Sequence, residues 1–193
     1  MDTAAWLSVT LYMQTQIVTG FIHNPYQQRL LDLLNGISVR QAEQRGRFLE
    51  LSEMTIHHAD GKEERLATAY INKATIQLAT TSDVDLSKGI GGKEGPKSYP
   101  FQEKVPMPVR LSTPAYEVIG NMYRISHQII WYVLEDKPIF LPVTDAEIRV
   151  LTNDACTKVA FVAVNKEQIL YLYQDPLAQG SPASSNVANE LIK

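Results

Sequence analysis

The sequence predicts a mainly β protein built from two tandem, homologous small barrels of about five strands and one short helix each. Three observations lead there. The chain repeats itself in order, apolar residues within each repeat alternate with a period of two over most of its length, and a Gly-, Pro- and Lys-rich stretch separates the copies. Val9, Leu11, Val18 and Gly20 return as Val109, Leu111, Val118 and Gly120, all 100 positions later. Phe48 to Ile56 (FLELSEMTI) matches Phe140 to Ile148 (FLPVTDAEI) 92 positions on, and Asn72, Lys73 and Ile76 match Asn165, Lys166 and Ile169 at 93. The drop in offset places an extra surface loop, Asn35 to Arg47, in the first copy.

These matches divide the chain into a first barrel over 6–80, a linker over 81–107, a second barrel over 108–174 and a flexible tail over 175–193. In the first copy Val9, Leu11 and Met13 alternate along one strand, and a turn at Gln14 to Gln16 leads into a second through His23, making a hairpin. Leu30, Leu31, Leu33 and Leu34 then line one side of a short helix, with Gly36 as its stop; ISHQIIWYVLED is the counterpart. Strands follow over Phe48 to His58, Leu66 to Tyr70 and Thr75 to Thr80, repeated at Phe140 to Leu151, Lys158 to Val164 and Gln168 to Tyr173. The expected core is Leu11, Val18, Leu30, Leu34, Phe48, Ile56 and Ile76 with Leu111, Val118, Ile129, Val133, Phe140, Ile148 and Ile169. Each half is expected to close its own core.

The run RLLDLLN, then FLPVTDA, then an Asn-Lys-x-x-Ile close resembles an uncharacterised family of short bacterial β-rich domains, present here as a tandem duplication. The helix motif stands in the first copy as Arg29, Leu30, Asp32, Leu34 and Asn35, and the strand motif stands better in the second as Phe140 to Ala146. A weaker similarity is to SH3/Sm-like RNA-binding barrels, which carry a Gly in the second strand and a turn spaced like Ile71 to Ile76. That likeness implies a five-stranded SH3/Sm-like barrel and admits single-stranded RNA as a partner. The Asp and Asn pair that grips bases in those proteins has no match after Gly20 or Gly120.

With 18 basic against 21 acidic groups the composition is that of a soluble domain, and one cysteine excludes an internal disulfide. The start has no basic n-region and its apolar run is interrupted, so neither a signal peptide nor a membrane span is expected, and the location expected is cytoplasmic. Residues 1–80 hold 7 basic and 8 acidic groups and residues 109–193 hold 7 and 9, so neither unit has the excess that phosphate binding demands. Only Arg40, Arg45 and Arg47 cluster, in the inserted loop. Adjacent His57 and His58 face opposite sides of a strand and cannot share a metal, and Cys156 has no partner to activate it. No metal and no cofactor is expected. Asn72-Lys73 and Asn165-Lys166 suit turns, since Asn tolerates left-handed angles; as a site, they present charged donors at a barrel mouth. Glu53 and Asp145 read as edge-strand charges.

The expectation is therefore a non-enzymatic interaction or assembly module, with a protein partner or a second copy bound through exposed strand edges. Its candidate binding residues are Arg40, Arg45, Arg47, Asn72, Lys73, Asn165 and Lys166. The alternatives are an Sm-like module binding single-stranded RNA through the same residues, or a small-molecule-responsive domain with a pocket between the units.

Overall fold

The fold is given by a computed structural model that describes residues 5–37, 46–83, 104–125, 129–136 and 138–175. The first half runs β1 (Trp6–Tyr12), β2 (Gln16–His23), helix α1 (Leu30–Leu34), β3 (Phe48–His58), β4 (Glu63–Asn72), a 3-10 turn (Lys73–Thr75) and β5 (Leu78–Thr80). The second half follows the same order: β6 (Lys104–Ser112), β7 (Tyr116–Ile125), helix α2 (Ile130–Glu135), β8 (Phe140–Val150), β9 (Cys156–Asn165), a 3-10 turn (Lys166–Gln168) and β10 (Tyr171–Gln174). Thus β6 starts at Lys104, inside the stretch read as linker. Residues 84–103 and 176–193, most of that linker and nearly all of the expected tail, lie outside the described residues.

Alternation makes the strands. Leu7, Val9 and Leu11 are buried while their neighbours are half-buried, and β2 pairs back antiparallel with Val9 opposite Gly20; Val109 stands opposite Gly120 in the second half. Both glycines sit where the next ladder slips by a residue, between Thr19 and Phe21 and between Ile119 and Asn121. A Cβ on Gly20 would stand 3.1 Å from the Ser52 carbonyl oxygen, and one on Gly120 would stand 2.7 Å from Val143 Cγ1 and 2.9 Å from the Thr144 oxygen. The residues facing them, Glu53 and Asp145, take φ of 48° and 49°, so the bulge bends the sheet at the same place in each half. These acids lie on interior strands, which corrects their reading as edge charges.

All ten strands belong to one antiparallel sheet in the order β10-β6-β7-β8-β9-β5-β1-β2-β3-β4. The expected pair of closed barrels is therefore replaced by a single open sheet. Closing the first barrel would need β4 on β5, but the second side of three-residue β5 is taken by β9, with Leu78 opposite Val164 and Ala79 opposite Ala163. The cores are shared in consequence. Phe140, Phe161 and Ala163 pack into the first cluster, and Leu78 packs into the second. Of the expected core, Phe48 and Ile129 are exposed, while Ile56, Val133 and Ile169 are partly buried.

The helices differ. α1 buries Leu30, Leu33 and Leu34 and ends on Gly36, whose φ of 64° closes the last turn, whereas α2 buries no residue. Among the described residues no helix is long and apolar enough to cross a membrane.

Candidate interaction site: the junction and the turns

The two Asn-Lys turns are built alike. Asn72 Oδ1 accepts from the Ala74 N–H at 3.1 Å and Asn165 Oδ1 from the Glu167 N–H at 3.0 Å, so each Asn caps its own 3-10 turn. Each Lys then reaches back to a helix end. Lys73 Nζ donates to the Leu33 carbonyl at 3.3 Å; Lys166 Nζ donates to that of Leu134 at 3.2 Å and to that of Asp136. A cation against the last carbonyls of a helix satisfies both orphan acceptors and the helix dipole. Burial holds the Lys73 ammonium below its ordinary pKa.

One Asn does more. Asn165 is fully buried; its Nδ2 donates to the carbonyls of Lys73 at 3.3 Å and Ile76 at 2.9 Å, and its backbone N–H donates to Gln77 at 3.0 Å. It thereby stitches β9 to the first half. Asn72, its counterpart on the outer strand β4, has no strand beyond it among the described residues.

Other side chains complete this seam. Gln77 Oε1 accepts from Thr113 Oγ1 at 2.7 Å and from the Ala115 N–H at 3.0 Å. The Asn35 amide brackets Phe140, accepting from its N–H at 2.8 Å and donating to its carbonyl at 3.0 Å. Tyr116 donates its hydroxyl to the Met13 carbonyl at 2.9 Å and meets the Tyr12 ring edge-on at 5.4 Å. Burial, with Tyr12 beside it, pushes the Tyr116 pKa up to about 12. Gln77, Thr113 and Tyr116 were not among the residues singled out from the sequence, and Asn35 stood there only as the last residue of the helix motif. Gln77 had a signal, because its counterpart in the second copy is apolar Leu170.

Of the predicted binding residues, Arg47, Asn72 and Lys73 come together, around a cavity of about 320 Å³ that also meets Ile139 and Glu167 across the seam. Asn165 lies buried in the seam and Lys166 sits at the end of α2; neither lines that cavity. Arg40 and Arg45 lie outside the described residues. Two larger hollows of about 590 and 480 Å³ mark the two bulges, the first walled by Trp6, Phe21, Glu53 and Asp83.

His57 bridges neighbouring strands, with Nδ1 3.1 Å from Glu63 Oε1 and Nε2 3.3 Å from Thr19 Oγ1. Cys156 is exposed, and the hydrogen bond to Glu147 raises its thiol pKa, which lowers its thiolate fraction. Searches against profiles of protein families, curated proteins and solved structures each found no match.

Proposed function

We propose that the protein is a non-enzymatic assembly module that binds further copies of itself through the open edges of its sheet. The observation that carries the reading is the character of the two outermost strands. β4 bears no charge from Leu66 to Asn72 and exposes Leu66 and Tyr70, and β10 exposes Tyr171 and Tyr173. Strand edges that stay unpaired are usually blunted by charge, proline or a covering element. Here Glu63, Glu64 and Arg65 guard only one end of β4. The Asn-Lys turns fit this reading as structural parts, since both lysines hold helix carbonyls and Asn165 holds a strand junction. Light scattering over a concentration series tests it: mass should rise above that of one chain, and a strict monomer at every concentration would refute it.

A second reading, a small-ligand-responsive domain, draws support from the cavity of about 320 Å³ between the halves, where Arg47 and Lys73 favour an anion. Thermal shift with small carboxylates and phosphate tests it; stabilisation in wild type that Arg47→Ala abolishes supports it.

A further inference from the structure

We infer that the second copy docks head to tail, with β10 of one chain adding to β4 of the next, as a repetition of the β5–β9 junction that the chain already contains. The inference rests on the assembly reading and adds to it the partner surface and its register.

The two halves have the same strand order, so β5 and β10 are equivalent elements, as are β9 and β4. Inside the chain β5 adds antiparallel to β9, which among the described residues leaves β4 and β10 as the two ends of the sheet. One end is thus an unfilled copy of an acceptor and the other an unfilled copy of an inserted strand. Moving the internal junction on by 93 positions places Tyr171 opposite Ile71 and Leu172 opposite Tyr70. The Asn72 N–H then meets the Leu170 carbonyl, as the Asn165 N–H meets that of Gln77. The Asn72 amide reaches the Lys166 and Ile169 carbonyls, as that of Asn165 reaches Lys73 and Ile76.

Exposure follows the same map. Residues at the internal junction are buried, and their equivalents at the free ends are open to water. Phe140 is 1% exposed and Phe48 is 53%; Leu78 is 0% and Tyr171 is 55%; Ala163 is 0% and Tyr70 is 66%. The exposed side chains are large and apolar, which is costly to leave in contiguous patches on a monomer. The helices show the same asymmetry. α1 lies on the internal junction, where its C-cap residue Asn35 clamps Phe140, and it buries three leucines. α2 packs Ile130, Val133 and Leu134 only partly buried against the second cluster and exposes Trp131 and Tyr132. A next chain would bring Phe48 to α2 as Phe140 is brought to α1.

Because the two surfaces differ, the contact is heterologous. Each chain offers one strand and one acceptor edge, and repetition gives a ring where the rotation closes and a filament where it does not.

Two edge-blocked variants test this. One carries Phe48→Lys and Tyr70→Lys on the acceptor end; the other carries Leu170→Lys and Tyr171→Lys on the inserting end. All four side chains are exposed, and a melting curve of each variant, expected to match that of wild type, checks that it keeps its fold. Each variant alone should run as a monomer under conditions where wild type does not, and an equimolar mixture should recover one species of two chains. In a Cys156→Ser background, Ile71→Cys and Tyr171→Cys chains mixed under oxidation should cross-link to each other, with neither cross-linking alone. A wild type that is monomeric at every concentration defeats the assembly reading and this inference together. A wild-type oligomer that survives either block, or a variant with a blocked β10 that still pairs with itself, leaves assembly standing and overturns the head-to-tail contact alone.

Discussion

Phe140 and Phe48 occupy matching places at the starts of β8 and β3, so the same truncation at each isolates what the internal junction contributes. Phe140→Ala removes a buried ring from the cluster formed with Leu30, Leu33, Leu34 and Ile76. The transfer loss is about 2 to 3 kcal/mol for a large apolar side chain. The residual cavity adds about 24 cal/mol per Å³, bringing the expected total to about 3 to 5 kcal/mol. Its backbone clamp to Asn35 is untouched by the change, so cavity and transfer are the only terms lost. Phe48→Ala, measured at concentrations where the chain is a monomer, should cost no more than about 0.5 kcal/mol, the usual scale for an exposed position. Urea unfolding followed by far-UV circular dichroism resolves the two: at an m-value of about 2 kcal/mol/M, Phe140→Ala should lower the midpoint by roughly 1.5 to 2.5 M and Phe48→Ala by less than about 0.3 M. Equal shifts, or the larger one at Phe48, would refute the placement of the junction at β5 and β9.

Asn165→Ala should lose about 2 to 4 kcal/mol in the same assay, because it leaves the carbonyls of Lys73 and Ile76 buried without a donor; a loss below about 1 kcal/mol would show that those groups find other partners. Gly120→Ala should cost about 2 kcal/mol and Gly20→Ala about 1, since the added Cβ meets Val143 at 2.7 Å in one case and has no contact under 3.1 Å in the other; thermal midpoints that rank the two in reverse would contradict the geometry of the bulges. In alkali the Tyr116 pKa of about 12 lies above its unfolded value near 10, so its contribution is fully present below pH 10 and is lost as pH rises toward 12. That loss is about 2 to 3 kcal/mol. Lys73, whose pKa is lowered, has the opposite sign and adds stability as pH rises toward its unfolded value of 10.5. Burial raises the Tyr12 pKa as well and acts with the same sign, so unfolding free energy between pH 10.5 and 12 reads both tyrosines, and a slope unchanged by Tyr116→Phe would count against the share assigned to Tyr116.

Local structure was legible where a residue acts on its own neighbours. Alternation around Val9 and Leu11 gave the hairpin, Gly36 marked the end of α1, and the Asn-Lys pairs marked turns, because backbone geometry and near-neighbour burial decide those features. Closure of each half was not legible, because it depends on which strand wins the second side of β5. By pattern β4 of the same half and β9 of the other have equal claims, and nothing in a period-two alternation names the partner of an edge. Phe48 and Ile129 were misplaced for the same reason: an apolar residue at a strand or helix start is buried only if another element covers it.

The differences between the copies hold the information that their likenesses conceal. Residues that match between the halves report what each needs to fold, whereas matched positions that differ mark where the halves have different surroundings. Gln77 answers Leu170 because Gln77 receives two hydrogen bonds from the start of the second half, while Leu170 faces outward at the free end. Asn35 answers Glu135 because only α1 has the neighbouring β8 strand to clamp. Ala163 answers Tyr70 because β9 must admit β5 closely, while β4 keeps a large ring exposed at its open edge. An open edge that bore only water would favour charge at such positions. Under the proposed head-to-tail contact, the aromatic and aliphatic side chains at Phe48, Tyr70, Leu170 and Tyr171 are what a second junction would bury, which would account for the asymmetry of the two halves.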